Sequence, residues 1–90
     1  MNKTDKPKIR AIAKAFLILQ NQSYTARGIS EFINAYDFGL KRGVTAQELA
    51  TDLDYCIKGS GVKSIRKDIE IVTINGKRRY QYKKREEYYI

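Results

Sequence analysis

The dipeptide Asn75-Gly76 constrains this chain more than any other feature. Asn-Gly between two β-prone runs is the strongest short-range signal for a two-residue type I′ turn, because both turn residues need positive φ. If Ile74 pairs with Lys77, the whole register follows. Thr73 then faces Arg78, Ile71 faces Tyr80 and Ile69 faces Tyr82 on one side. Val72 faces Arg79, Glu70 faces Gln81 and Asp68 faces Lys83 on the other. The Ile–Tyr pairs share a single face without adjustment, as they must if a core covers that face. A lone two-stranded hairpin is marginal in water, so the preceding residues have to supply the cover.

Those residues read as helices. Pro7 suits a first helical turn, where a missing N–H costs nothing. Ile9, Ile12, Ala13, Phe16 and Leu17 recur at helical spacing and form an apolar stripe. Ala15, Ile18 and Leu19 widen it, so the end of this helix is expected either to be covered on two sides or to form a dimer contact. A second helix is expected from the N-cap Thr25, with Ile29, Phe32, Ile33 and Tyr36 inward and Gly39 at its end. Ser23–Thr25 is short enough for a single bridge of strand. Asp37–Val44 reads as a loop anchored by Leu40. Thr45-Ala46-Gln47-Glu48 is a capping box and opens a third helix. At 100° per residue Ala46, Leu49, Ala50, Leu53, Cys56 and Ile57 fall on its inner side, with Gln47, Thr51, Tyr55 and Lys58 opposite. Gly59-Ser60-Gly61 ends it.

Composition removes several classes of function. The 90 residues contain no histidine and one cysteine, so the usual general base and any disulfide or paired-cysteine metal site are missing. No phosphate-cradling glycine loop, nucleophile–base pair or metal cluster appears. A non-enzymatic binder without cofactor, metal or small-molecule substrate is expected. The run Ala11–Leu19 is too short to span a membrane, and Lys14 interrupts it. A cytoplasmic location follows as the expectation. Length predicts one domain over 1–90, with a flexible N-terminal arm at 1–6 and a C-terminal tail at 85–90.

Charge supplies the positive clue. The formal net charge is +8. Residues 1–61 hold nine Lys/Arg against six Asp/Glu, whereas residues 62–90 hold nine against four. Such an excess points to a polyanionic partner, and the last third of the chain carries much of it.

Three helices, a short bridging strand and a basic C-terminal hairpin form an α+β chain in the order of a winged helix-turn-helix. The segments YTARGISEFIN, GLKRGVTAQELATDL and INGKRRYQY resemble the small winged-helix proteins of archaea, their viruses and some bacteria. The resemblance runs from about Ser23 to Lys84. It implies a sequence-specific double-stranded DNA-binding protein, a small transcriptional regulator and possible homodimer. The third helix would enter the major groove through Gln47, Thr51, Tyr55 and Lys58. Lys77, Arg78 and Arg79 of the wing, with Lys63 and Lys83 behind them and Lys41 and Arg42 in the loop, would meet phosphates or the minor groove. Against this, Glu48, Asp52 and Asp54 flank the reading stripe and repel phosphate. Affinity then has to come from wing, loop and arm.

Two alternatives stay open. Thr45–Ile57 could be the first helix of the motif, with Val62–Val72 as the recognition helix, although the density of Ile, Val and Thr after Asp68 favours strand there. The chain could also be a protein-interaction or RNA-binding module whose wing grips an acidic partner.

Overall fold

The computed structural model describes residues 1–59 and 63–83, with the side chains of residues 63 and 64 outside that description. Among the described residues the order is α1 (Lys6–Gln20), α2 (Ala26–Ala35), α3 (Ala46–Lys58), α4 (Lys63–Asp68), β1 (Ile69–Ile74) and β2 (Lys77–Tyr82). The chain is therefore α+β, with four helices followed by an antiparallel hairpin. None of these helices is long and apolar enough to cross a membrane.

The hairpin has the expected register at all six strand pairs, from Ile69 opposite Tyr82 to Ile74 opposite Lys77. Asn75 and Gly76 turn with φ of 53° and 76°, the left-handed geometry that a type I′ turn demands. Asp68 and Lys83 extend the pairing by one backbone bond, the Lys83 N–H donating to the Asp68 carbonyl at 2.6 Å. A single bridge joins Tyr24 to Tyr80, so the segment before α2 lies beside β2. Tyr80 is buried and completes a core of Ile9, Leu17, Ile29, Leu49, Leu53 and Ile69.

Four differences from expectation have physical causes. Of the stretch Val62–Val72, the described residues 63–72 are neither all strand nor all helix. Lys63–Asp68 forms α4, with Ile65 buried, and β-branched residues take over at Ile69. The fold thus has a fourth helix where three were expected. Helix α2 ends at Ala35, because Tyr36 is already extended (φ −124°, ψ 157°). That conformation takes the Tyr36 ring off the helical stripe and leaves it 63% exposed instead of inward. Gly39 accordingly sits in the loop (φ +73°), where its N–H donates to Asp37 Oδ1 at 2.9 Å, and does not end the helix. Leu19 is 81% exposed, so of the two expectations for the end of α1 the cover on two sides is not met within the chain.

Residues 1–6 were expected as a flexible arm. They form a turn of 3-10 helix at Lys3–Asp5 and the first residue of α1. Asp5 is buried, and its Oδ2 accepts the Lys41 N–H at 2.8 Å, binding this segment to the α2–α3 loop. The expected tail at 85–90 lies outside the described residues.

Candidate nucleic-acid interface

The capping box presents α3. Thr45 Oγ1 accepts the Glu48 N–H at 3.1 Å, and Glu48 Oε1 accepts the Thr45 N–H at 3.0 Å. These bonds satisfy two donors that the first helical turn leaves open. Just before the box, the Asn34 side chain pairs with the Val44 backbone, donating at 2.8 Å and accepting at 3.0 Å. A Cβ on Gly43 would come within 2.9 Å of Asn34 Oδ1, so glycine is what lets the loop approach α2 closely enough. Leu49, Leu53 and Cys56 bury the inner side of α3. Gln47, Thr51, Tyr55 and Lys58 are left exposed on the outer side.

The flanks of this stripe answer the difficulty that acidity raised. Asp52 is gripped by Arg10 in a two-bond fork, Nε to Oδ2 and Nη2 to Oδ1, each at 2.8 Å. That hydrogen-bonded pairing raises the Arg10 pKa against the opposing effect of burial. Glu48 pairs with the Met1 amino group and with Arg42 Nη2 at 3.1 Å. The bond from the amino group, helped by the Thr45 backbone, pulls the Glu48 carboxyl down to about 2. Asp54 pairs with Arg78 of the hairpin and accepts the Tyr80 hydroxyl at 2.8 Å. Burial and that hydroxyl bond push the Tyr80 phenol up, so it stays protonated as a donor. Every carboxylate of α3 therefore has an internal cation.

At 100° per residue, Asp54 lies to one side of the exposed stripe and Glu48 and Asp52 to the other. The hairpin borders α3 through Arg78, and the N-terminal segment borders it through Met1 and Arg10. Gln47, Thr51 and Tyr55 line a shallow hollow of about 440 Å³ together with Met1 and Lys6. Sequence reasoning missed both of these last residues, since contact between residues 1–6 and α3 is long-range and leaves no local pattern.

The expected basic residues are not equivalent. Lys58 and Lys77 are exposed and have no carboxylate partner among the described residues, and the same holds for Lys41 in the loop. Lys83 is exposed at the end of β2. Arg42 is half engaged with Glu48, and Arg78 with Asp54. Arg79 points away from α3, its Nε donating to Ser23 Oγ and its Nη2 to the Ser23 carbonyl, both at 2.9 Å. Strand alternation puts neighbours Arg78 and Arg79 on opposite faces. The Lys63 side chain lies outside the described residues. Arg66 and Lys67 on α4 are exposed and absent from the expected set, because a short helix at 63–68 was not the preferred reading.

No protein-family model, curated protein or solved structure matches this chain. Its chemistry has to be read from these residues alone. They form a polar helix face with a hydrogen-bonding stripe, bordered by arginines and by exposed lysines on loop and hairpin. Such a surface can donate to anionic oxygens and to the edges of bases.

Proposed function

We propose that this protein is a winged helix-turn-helix that binds double-stranded DNA in a sequence-specific manner, as a small transcriptional regulator. The observation that carries the reading is the internal neutralisation of Glu48, Asp52 and Asp54 around an exposed Gln47–Thr51–Tyr55–Lys58 stripe. With its carboxylates already paired, α3 can approach a phosphate backbone without the repulsion its composition suggests. Gln47 is suited to adenine, Thr51 to a thymine methyl or a phosphate, and Lys58 to guanine or a phosphate. The hairpin is the wing, with Lys77 at its tip, and the Tyr24–Tyr80 bridge ties the wing to the helices.

A second placement of the reading helix has its own support. Residues 59–62 alone connect α3 to α4, whereas residues 36–45 separate α2 from α3. A helix-turn-helix uses a turn of about three or four residues, so α3 and α4 also satisfy the motif. Arg66 and Lys67 would then face the groove. Double-stranded DNA is the ligand in both placements.

Selection from random duplexes tests the proposal. Enrichment of a common site is expected; no enrichment, with tight binding to RNA or to an acidic protein instead, contradicts it. Gln47→Ala alters the selected bases if α3 reads them, and Arg66→Ala does so if α4 reads them. A palindromic site would mark binding by a pair of copies, for which the exposed end of α1 at Ile18 and Leu19 is the proposed contact.

A further inference from the structure

The contact between wing and α3 is built around one carboxylate. Asp54 holds Arg78 on one oxygen and the Tyr80 hydroxyl on the other. Its two partners differ in freedom. Tyr80 is 1% exposed and fixed in the core, whereas the Arg78 side chain is 48% exposed. Lys58 stands four residues beyond Asp54 on the same helix face, with no carboxylate partner among the described residues.

Resting on the DNA-binding reading above, we infer that Asp54 is a specificity-determining residue: its carboxylate occupies Arg78 in the unbound protein, and a DNA phosphate has to displace it. The exchange is feasible because it strands no charge. When Arg78 swings to a phosphate, Asp54 keeps the Tyr80 hydroxyl, and the charge of Lys58, one turn further along α3, offsets the carboxylate even while that ammonium contacts DNA. It is also selective. A duplex that merely brushes the wing meets Lys77 at its tip but finds the neighbouring Arg78 already held by Asp54. A duplex that seats the helix stripe stays close long enough for the phosphate to compete with Asp54. The carboxylate thus lowers attraction to arbitrary phosphate more than it lowers attraction to the correct site. Arg78 is a conditional contact, and Asp54 sets the condition.

The test is a salt titration of the full chain on a mixed-sequence DNA duplex, comparing wild type, D54N, R78Q and the double variant. Asparagine keeps an oxygen to accept from Tyr80 while removing the charge. D54N is expected to bind the mixed duplex more tightly and with a slope steeper by about one phosphate contact. Between about 50 and 200 mM salt it then loses about three- to fourfold more affinity than wild type. R78Q is expected to change the wild-type slope little and to abolish the increment in D54N, which makes the two substitutions strongly non-additive. Should D54N fail to fold, R78Q alone decides: a fall of about one full contact in the wild-type background overturns the inference. Wild-type and D54N slopes that coincide also overturn it while leaving DNA binding intact. Wild type that does not bind the duplex at about 50 mM salt overturns both readings.

Discussion

Asn34 shows how much one side chain can position. Its amide forms a two-way pair with the Val44 backbone, in place of the strand that a ten-residue connection between α2 and α3 lacks. Asn34→Ala leaves a buried N–H and C=O of Val44 without partners, and a loss of about 1–3 kcal/mol in chemical denaturation is expected. Breaking the Arg10–Asp52 fork with Asp52→Ala should cost about 1–3 kcal/mol, because the pair lies between a surface and a buried ion pair. Glu48 gives a pH signature. Its carboxyl is held at about 2 against 4.5 for an unperturbed group. A carboxylate depressed by folding adds stability that is complete above the unfolded value and disappears as pH falls towards the folded one. Thermal midpoints should therefore drop between about pH 4.5 and 2, and Glu48→Gln should flatten that drop. None of these three pairings except the capping box was legible in the sequence. Thr45 and Glu48 lie three residues apart, so local spacing reveals them, whereas Arg10 and Asp52 are 42 residues apart and meet only in the folded chain.

At the scale of elements, the hairpin was readable to the residue, since turn chemistry and side-chain alternation specify the same register. The helix before it was not. Val62–Val72 carries a helical start and a β-branched end, and periodicity over so short a run does not separate them. The end of α2 was misplaced for a related reason: Tyr36 continues the apolar spacing, yet the backbone leaves the helix at that point and the ring turns outward. Position along β2 gives its basic residues different work, since Lys77 stands exposed beside the turn and Arg79 is bonded to Ser23. Lys77→Ala should lower the salt slope of DNA binding by about one and leave stability unchanged. Arg79→Ala should do the reverse, lowering the thermal midpoint through loss of the Ser23 tether with little effect on slope. Equal effects of the two on the slope would contradict the division of β2 into a free tip at Lys77 and a tethered position at Arg79.

Across the whole molecule, the net charge of +8 is distributed by pairing. Carboxylates of α3 consume the cations of Arg10, Arg42, Arg78 and the amino terminus, while Lys41, Lys58, Arg66, Lys67 and Lys77 stay uncompensated among the described residues. The basic surface is therefore carried by loop, helix ends and wing, flanking a helix face that is nearly neutral. Composition alone suggested a general affinity for polyanions, and could not show which bases were already spent. The opposite end of α1 presents Leu19 at the rim of a mainly apolar hollow lined by Phe16, Phe32 and Phe38. DNA binding by this surface is tested most directly by the affinity of the wild-type chain for a DNA duplex measured across a range of salt. Binding is expected at about 50 mM salt, with log K falling linearly against log[salt] by the equivalent of several phosphate contacts. Absence of binding at that salt, or affinity that is indifferent to salt, would contradict it.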